Sequence, residues 1–145
     1  MKTLAAVMLA ALLGPAARAA PQSKDAPPPK GKIVLVALSG PEDMMKLLAP
    51  YHHALIMKKT GRLEAIAIVV YGRAVAALNL KAKGVPPPVR EAIKEAHEAG
   101  IPIYVCDTAL EHAGIDAVSP EAQRVPQGAA KLAELVSEGY VPMQY

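Results

Sequence analysis

Ile33–Val34–Leu35–Val36–Ala37–Leu38 is an unbroken apolar run, and its continuity decides the fold class. A half-buried strand alternates apolar and polar residues. A run without alternation marks a strand covered on both faces, as in a parallel sheet between helices. Two more such runs follow, Ala65–Ile66–Ala67–Ile68–Val69–Val70 and Ile101–Pro102–Ile103–Tyr104–Val105. After the first run, Ser39-x-x-Glu42 has capping-box spacing, with Pro41 just inside a helix start. Met44, Leu48, Tyr51 and Leu55 then recur at helical spacing, and Pro50 is expected to kink or split that helix. Val89, Ile93 and Ala96 form the inner stripe of another helix, begun by Pro86–Pro87–Pro88 and ended by Gly100. A last helix spans about Gly128 to Glu138, with Leu132, Leu135 and Val136 facing in and Gly139 closing it. Tyr140–Val141–Pro142–Met143–Gln144–Tyr145 reads as a final strand, and Pro142, which cannot donate to a ladder, places it at an edge. Strand and helix alternate, which predicts a small open three-layer α/β domain with a mostly parallel sheet.

The chain of 145 residues is 52% apolar and 20% charged, enough for one domain and too apolar for a disordered chain. A single cysteine excludes a disulfide framework, a multi-cysteine zinc ribbon and an iron–sulfur cluster. With no Phe and no Trp to stack on bases, nucleic acid is not an expected partner.

The N-terminus reads as a leader. Met1–Lys2–Thr3 is a short positive start, Leu4 to Gly14 an apolar run, and Ala17–Arg18–Ala19 places small residues at a signal-peptidase site. The run is too short to span a bilayer. Residues 1–19 are therefore expected to be a cleaved signal peptide, with a weak anchor helix as the other reading. Beyond them remain 14 Lys and Arg against 13 Asp and Glu, so the formal excess of +3 nearly vanishes. Residues 20–31 contain Pro27–Pro28–Pro29 and little to bury, which predicts a disordered, proline-rich tether ahead of a domain over 32–145. An exported protein, periplasmic or secreted and free of the membrane after cleavage, is the expectation.

In open parallel sheets, ligands gather beyond the C-terminal ends of the strands. Three such ends can be read: Ser39–Gly40, Tyr71–Gly72–Arg73 and Cys106–Asp107–Thr108. Cys106 is the most informative. Thr108-x-x-Glu111 has capping-box spacing, so the thiol is expected beside a helix N-terminus, whose free N–H groups favour thiolate. Asp107 and Glu111 oppose that effect if they face the sulfur. The other reading is an inert buried cysteine. His52 and His53 are candidates to act with Cys106 as acid/base or as ligand. Adjacent helical residues diverge by about 100°, so the pair does not easily share one metal. Gly72 permits a tight turn, and Arg73 is placed to hold an anion. No GxGxxG or GxxxxGK[ST] is present, so no nucleotide site is supported. No metal is assigned.

Cys106-x-x-Ala109 followed by Gly114–Ile115, Val69–Val70–Tyr71–Gly72 leading into Ala74–Val75–Ala76–Ala77–Leu78, and Val125–Pro126–Gln127–Gly128 running to Glu138–Gly139–Tyr140 together resemble the DsrE/DsrF-like family of sulfur-relay proteins. The resemblance covers about residues 32–145. It implies a flavodoxin-like sheet, assembly into homo-oligomers, and a cysteine at Cys106 that carries sulfane sulfur as a persulfide, with no bound organic cofactor. Two further readings stand beside it. One is a non-catalytic binding or assembly module with a structural Cys106. The other is a metal or small-anion binder using His52 or His53, Cys106 and Arg73.

Overall fold

The computed structural model describes residues 30–145; the expected leader and nearly all of the expected tether lie outside the described residues. Five strands, β1 (Gly31–Ala37), β2 (Leu63–Val70), β3 (Ile103–Cys106), β4 (Gln123–Val125) and β5 (Tyr140–Gln144), form one sheet in the order β4-β3-β2-β1-β5. Every pairing is parallel. The helices are α1 (Met44–Lys59), α2 (Pro87–Glu98), α3 (Asp107–His112) and α4 (Gly128–Ser137), with a 3-10 helix over Gly72–Leu78. The expected α/β sheet is therefore present and wholly parallel.

The apolar runs do what their continuity requires. Val34–Ala37 and Ile66–Val70 are buried at every position. Leu35, Ala37, Ile68, Val70, Ile103 and Val105 join α1 and α2 in the larger core. Val34, Ala67 and Val69 face the opposite way, onto Leu135 of α4. Three layers result, and the layer beyond the second face is the ten-residue α4.

Several local expectations shift. The cap of α1 is Asp43, whose carboxylate accepts the Lys46 N–H at 3.1 Å, so Ser39 and Glu42 do not form the box. Pro50 leaves α1 unsplit: its ring is buried, and the Lys46 carbonyl it cannot serve belongs to an exposed residue. The buried stripe starts at Leu47 and runs through Pro50, Tyr51, Ala54 and Leu55, leaving Met44 exposed at the first turn. Val136 is likewise exposed, because α4 packs a narrow stripe that ends with Leu135. Tyr51 is fully buried, and its hydroxyl has no hydrogen-bond partner among the described residues. Burial alone pushes that phenol well above its usual range.

β5 lies at the edge, as Pro142 demands. The Tyr145 N–H donates to Val36 O at 2.9 Å and its carbonyl accepts from Leu38 N–H at 3.2 Å. Backbone groups of successive residues alternate in direction, so Pro142, three positions earlier, turns its missing donor to the free edge.

Candidate functional site

The three strand ends do not make one site. They divide into two corners on either side of α3.

At the first corner, Cys106 is the last residue of β3 and the N-cap residue of α3, with φ −76° and ψ 117°. Its side chain makes no cap hydrogen bond. Ile103 and Val105 face the larger core and Tyr104 the α4 side. Strand alternation therefore turns Cys106 toward α4 as well. Val70 pairs with Val105, which puts Tyr71 at the level of Cys106 on the neighbouring strand. Tyr71 in turn packs under the first turn of α4. A Cβ at Gly128 would stand 3.0 Å from Tyr71 Cβ and 3.1 Å from its ring, so only glycine allows α4 to start this close to the sheet. The thiol is free and retains 7% of its surface, yet it belongs to neither apolar cluster. It is sheltered, at the boundary of the core.

The next two residues tie the corner together. Asp107 pairs with Arg124 Nε at 2.5 Å, which turns its charge toward β4. Thr108 donates from Oγ1 to Pro126 O at 3.0 Å, and its N–H points to the same carbonyl at 3.4 Å. Thr108 is thus a clasp between α3 and the β4–α4 loop rather than the cap that its spacing with Glu111 suggests. On the α4 side, the Lys131 ammonium lies 4.5 Å from the Tyr104 ring centroid. Its hydrogen bond to Glu134, first, with the charge of Glu134 and the nearby Tyr104, holds that ammonium above its usual range.

The second corner joins the ends of β1 and β2. Gly72 takes φ +61°, the tight turn expected of it. Arg73 Nη2 meets Glu42 Oε1 at 2.6 Å, and the same carboxylate oxygen accepts the Gly40 N–H at 3.1 Å. A Cβ at Gly40 would stand 2.9 Å from Arg73 Cβ, so Gly40 is set by close approach. Hydrogen bonding from its own N–H, first, and then from that of Gly40, with the Arg73 charge, holds the Glu42 carboxyl below the usual range. Arg73 therefore has an internal anion as partner. Beside the pair opens a mostly apolar cleft of about 500 Å³, floored by Val75 and Ala76 and walled by Ala109, His112 and Ala113 of α3. Ser39 is partly buried at the rim of this corner.

The histidines go elsewhere. His52 and His53 are exposed on α1, and His53 Nδ1 is 2.8 Å from the Tyr145 hydroxyl. Tyr145 follows β5, three strand spacings from β3, or about 14 Å. Neither His52 nor His53 is brought to Cys106, and Arg73 is engaged by Glu42. Among the described residues no three His, Cys, Asp or Glu side chains gather into a metal set. Sequence reasoning missed Arg124, since Gln123–Arg124–Val125 is too short and polar to signal a strand. It also missed Glu42 as the partner of Arg73, whose only trace is that both follow strand ends.

Comparison with known proteins adds the family. Residues 31–145 match the model of the DsrE/DsrF-like family. No curated protein matches. Among solved structures, protein of unknown function MTH1491 from Methanobacterium thermoautotrophicum and the ychN protein from E. coli each superpose with a TM-score of 0.64. Each is 17% identical, covering 79% of this chain and 99% of the other. Conserved protein of unknown function BT1422 from Bacteroides thetaiotaomicron gives 0.59, at 20% identity over 79% of this chain and 94% of its own. At such identities the neighbours establish the fold alone. With the family model spanning the whole described domain, the chain belongs to the DsrE/DsrF-like family, a membership that suggests sulfur relay in general terms.

Proposed function

We propose that Cys106 is the group through which this protein handles sulfur. The observation that carries the reading is one free thiol at the end of a parallel strand, on the residue that precedes a helix, with a small retained surface. A relay cysteine has to be sheltered from unwanted oxidation and still reachable by a partner's sulfur. In the forward step the Cys106 thiolate attacks the outer sulfur of a donor persulfide. A sulfur–sulfur bond forms at Cys106, the donor's own bond breaks, and the donor leaves as thiolate. An acceptor thiolate then takes the terminal sulfur and returns Cys106 to thiolate. No organic cofactor takes part.

The reading extends to the whole chain. The leader pattern supports an exported protein, free of the membrane after cleavage; family resemblance supports a homo-oligomer, and the lack of Phe and Trp argues against a nucleic-acid partner. A second reading, a binding or assembly module with a structural cysteine, draws on the same 7% exposure.

Intact-mass measurement after exposure to polysulfide tests both readings. Wild type is expected to gain the mass of sulfur, and Cys106→Ser to gain none and to lose sulfane-sulfur transfer. A native protein that gains nothing, while its urea-unfolded form reacts, decides for the structural cysteine. The same spectrum reads whether residues 1–19 have been removed.

A further inference from the structure

The edge of the sheet farthest from Cys106 holds a second group of sulfur and nitrogen donors. Tyr145 donates its hydroxyl proton to Met143 Sδ at 2.9 Å, while His53 Nδ1 lies 2.8 Å from the same oxygen. The hydroxyl oxygen lies within hydrogen-bond distance of both the imidazole nitrogen and the thioether sulfur. Two soft or borderline donors thus flank a single hydroxyl, one from α1 and one from β5.

The fold fixes this meeting. Met143 pairs in register with Leu35, which faces α1, so the thioether projects to the α1 side of the sheet. His53 is on the flank of α1 that overhangs the edge, with its ring in edge contact with Tyr145 at 5.3 Å between centroids. His53 is exposed and Met143 keeps 39% of its surface, so the pair is open to solvent and is not a core contact.

We propose that His53 and Met143 form a binding site for monovalent copper. A thioether is a poor ligand for magnesium, calcium or zinc, and together with imidazole it suits Cu(I). Among the described residues no group of three or more His, Cys, Asp or Glu side chains forms a competing metal set. Bonds from metal to imidazole nitrogen and to sulfur are about 2.0 and 2.3 Å, as at zinc. An ion in place of the hydroxyl therefore draws both donors inward from their present contacts of 2.8 and 2.9 Å. Rotation of the exposed Met143 side chain accommodates that movement. Nδ1 of the neutral imidazole binds with its lone pair, the ring proton residing on Nε2, and Tyr145 swings off its bridge. No oxidation state changes.

The test is anaerobic titration of the full chain with Cu(I) against a chromophoric Cu(I) chelator. It is run on wild type and on Cys106→Ser, because a thiol also captures Cu(I). The site predicts that Cys106→Ser still holds one equivalent. In that background His53→Gln and Met143→Leu each weaken retention by about tenfold or more. The Met143 methyl resonance is expected to move on Cu(I) addition and to stay in place with Zn(II). Retention that vanishes with Cys106, survives both substitutions, or leaves the methyl resonance unmoved overturns the proposal. Both side chains are exposed, and an unchanged urea midpoint verifies that the variants fold.

Discussion

The two edges of the sheet put sulfur in opposite settings. At the β4 side, Cys106 ends a strand flanked by the three-residue β4 and is 7% exposed. At the β5 side, four of the five strand residues are exposed, and Met143 lies open beside His53 and Tyr145. The cause is helix placement. α1 and α2 share one face, and α4 covers the other, with contacts to β2, β3 and β5. Where α4 begins, Gly128 lets it sit directly on Tyr71, and the thiol beside that contact is covered. Where β5 ends, α1 reaches the edge only with its flank, through His53 on Tyr145. Shelter at one edge rests on tight packing, so it should break under substitutions that the other edge absorbs.

The largest effect is expected at Leu110, the fully buried residue that anchors α3 to the core. Leu110→Ala removes its apolar contact and leaves a cavity, at a cost of about 2–5 kcal/mol. Urea unfolding measures the loss, and the labelling rate of native Cys106 should rise with it, because α3 carries the thiol at its cap. Gly128→Val comes next. Its Cβ already meets Tyr71 at 3.0 Å and further methyls overpack the corner, so about 1–3 kcal/mol is expected by the same measurement. Equal stability for Gly128→Val and wild type would mean that α4 can rise off the sheet, and the contrast between the edges would fail.

What could be read beforehand follows the same division. The runs at Ile33 and Ala65 announced parallel, doubly covered strands because burial on both faces removes every polar position. Pro142 announced the edge because one missing N–H is a local property. Gly100 and Gly139 marked helix ends for the same reason, with φ of +72° and +92°. The corners were legible only in part. Cys106 at a strand end could be read from the chain, but its clasp to Pro126 and the Asp107–Arg124 pair depend on β4, a strand of one apolar and two polar residues. The link from His53 to Tyr145 spans 92 positions, and nothing in either neighbourhood encodes it. Local rules can also point the wrong way: Ser39 with Glu42 and Thr108 with Glu111 have capping-box spacing, yet Asp43 caps one helix and Cys106 precedes the other. Spacing states which bond is available, and competing partners decide which bond forms.

Smaller effects refine the comparison. Asp107→Asn breaks the ion pair with Arg124, but with side-chain exposures of 30% and 51% the stability change is expected to lie within about 1 kcal/mol. Its value is chemical. If the pair serves only packing, sulfur uptake by Cys106 in polysulfide should match wild type. If it also turns negative charge away from the thiol, uptake should fall when Asp107→Glu moves the carboxylate out of line with Arg124.

The least change in monomer stability is expected at Pro142. The residue is exposed, its missing N–H faces the free edge, and Pro142→Val adds no buried contact, so the urea midpoint should shift by no more than about 0.5 kcal/mol. The free edge nevertheless changes. Tyr140 and Gln144 already direct their N–H groups outward by alternation, and valine at 142 supplies the donor between them. Three consecutive outward positions then form an unbroken ladder beside exposed Val141, the condition under which edge strands pair with one another. Sedimentation velocity over a range of protein concentrations reads the outcome. Added self-association by Pro142→Val, with stability unchanged, would show that one imino acid keeps the open edge open. Identical sedimentation of the two proteins would mean that exposed side chains or the strand's twist already block pairing, and that the edge needs no proline to stay unpaired.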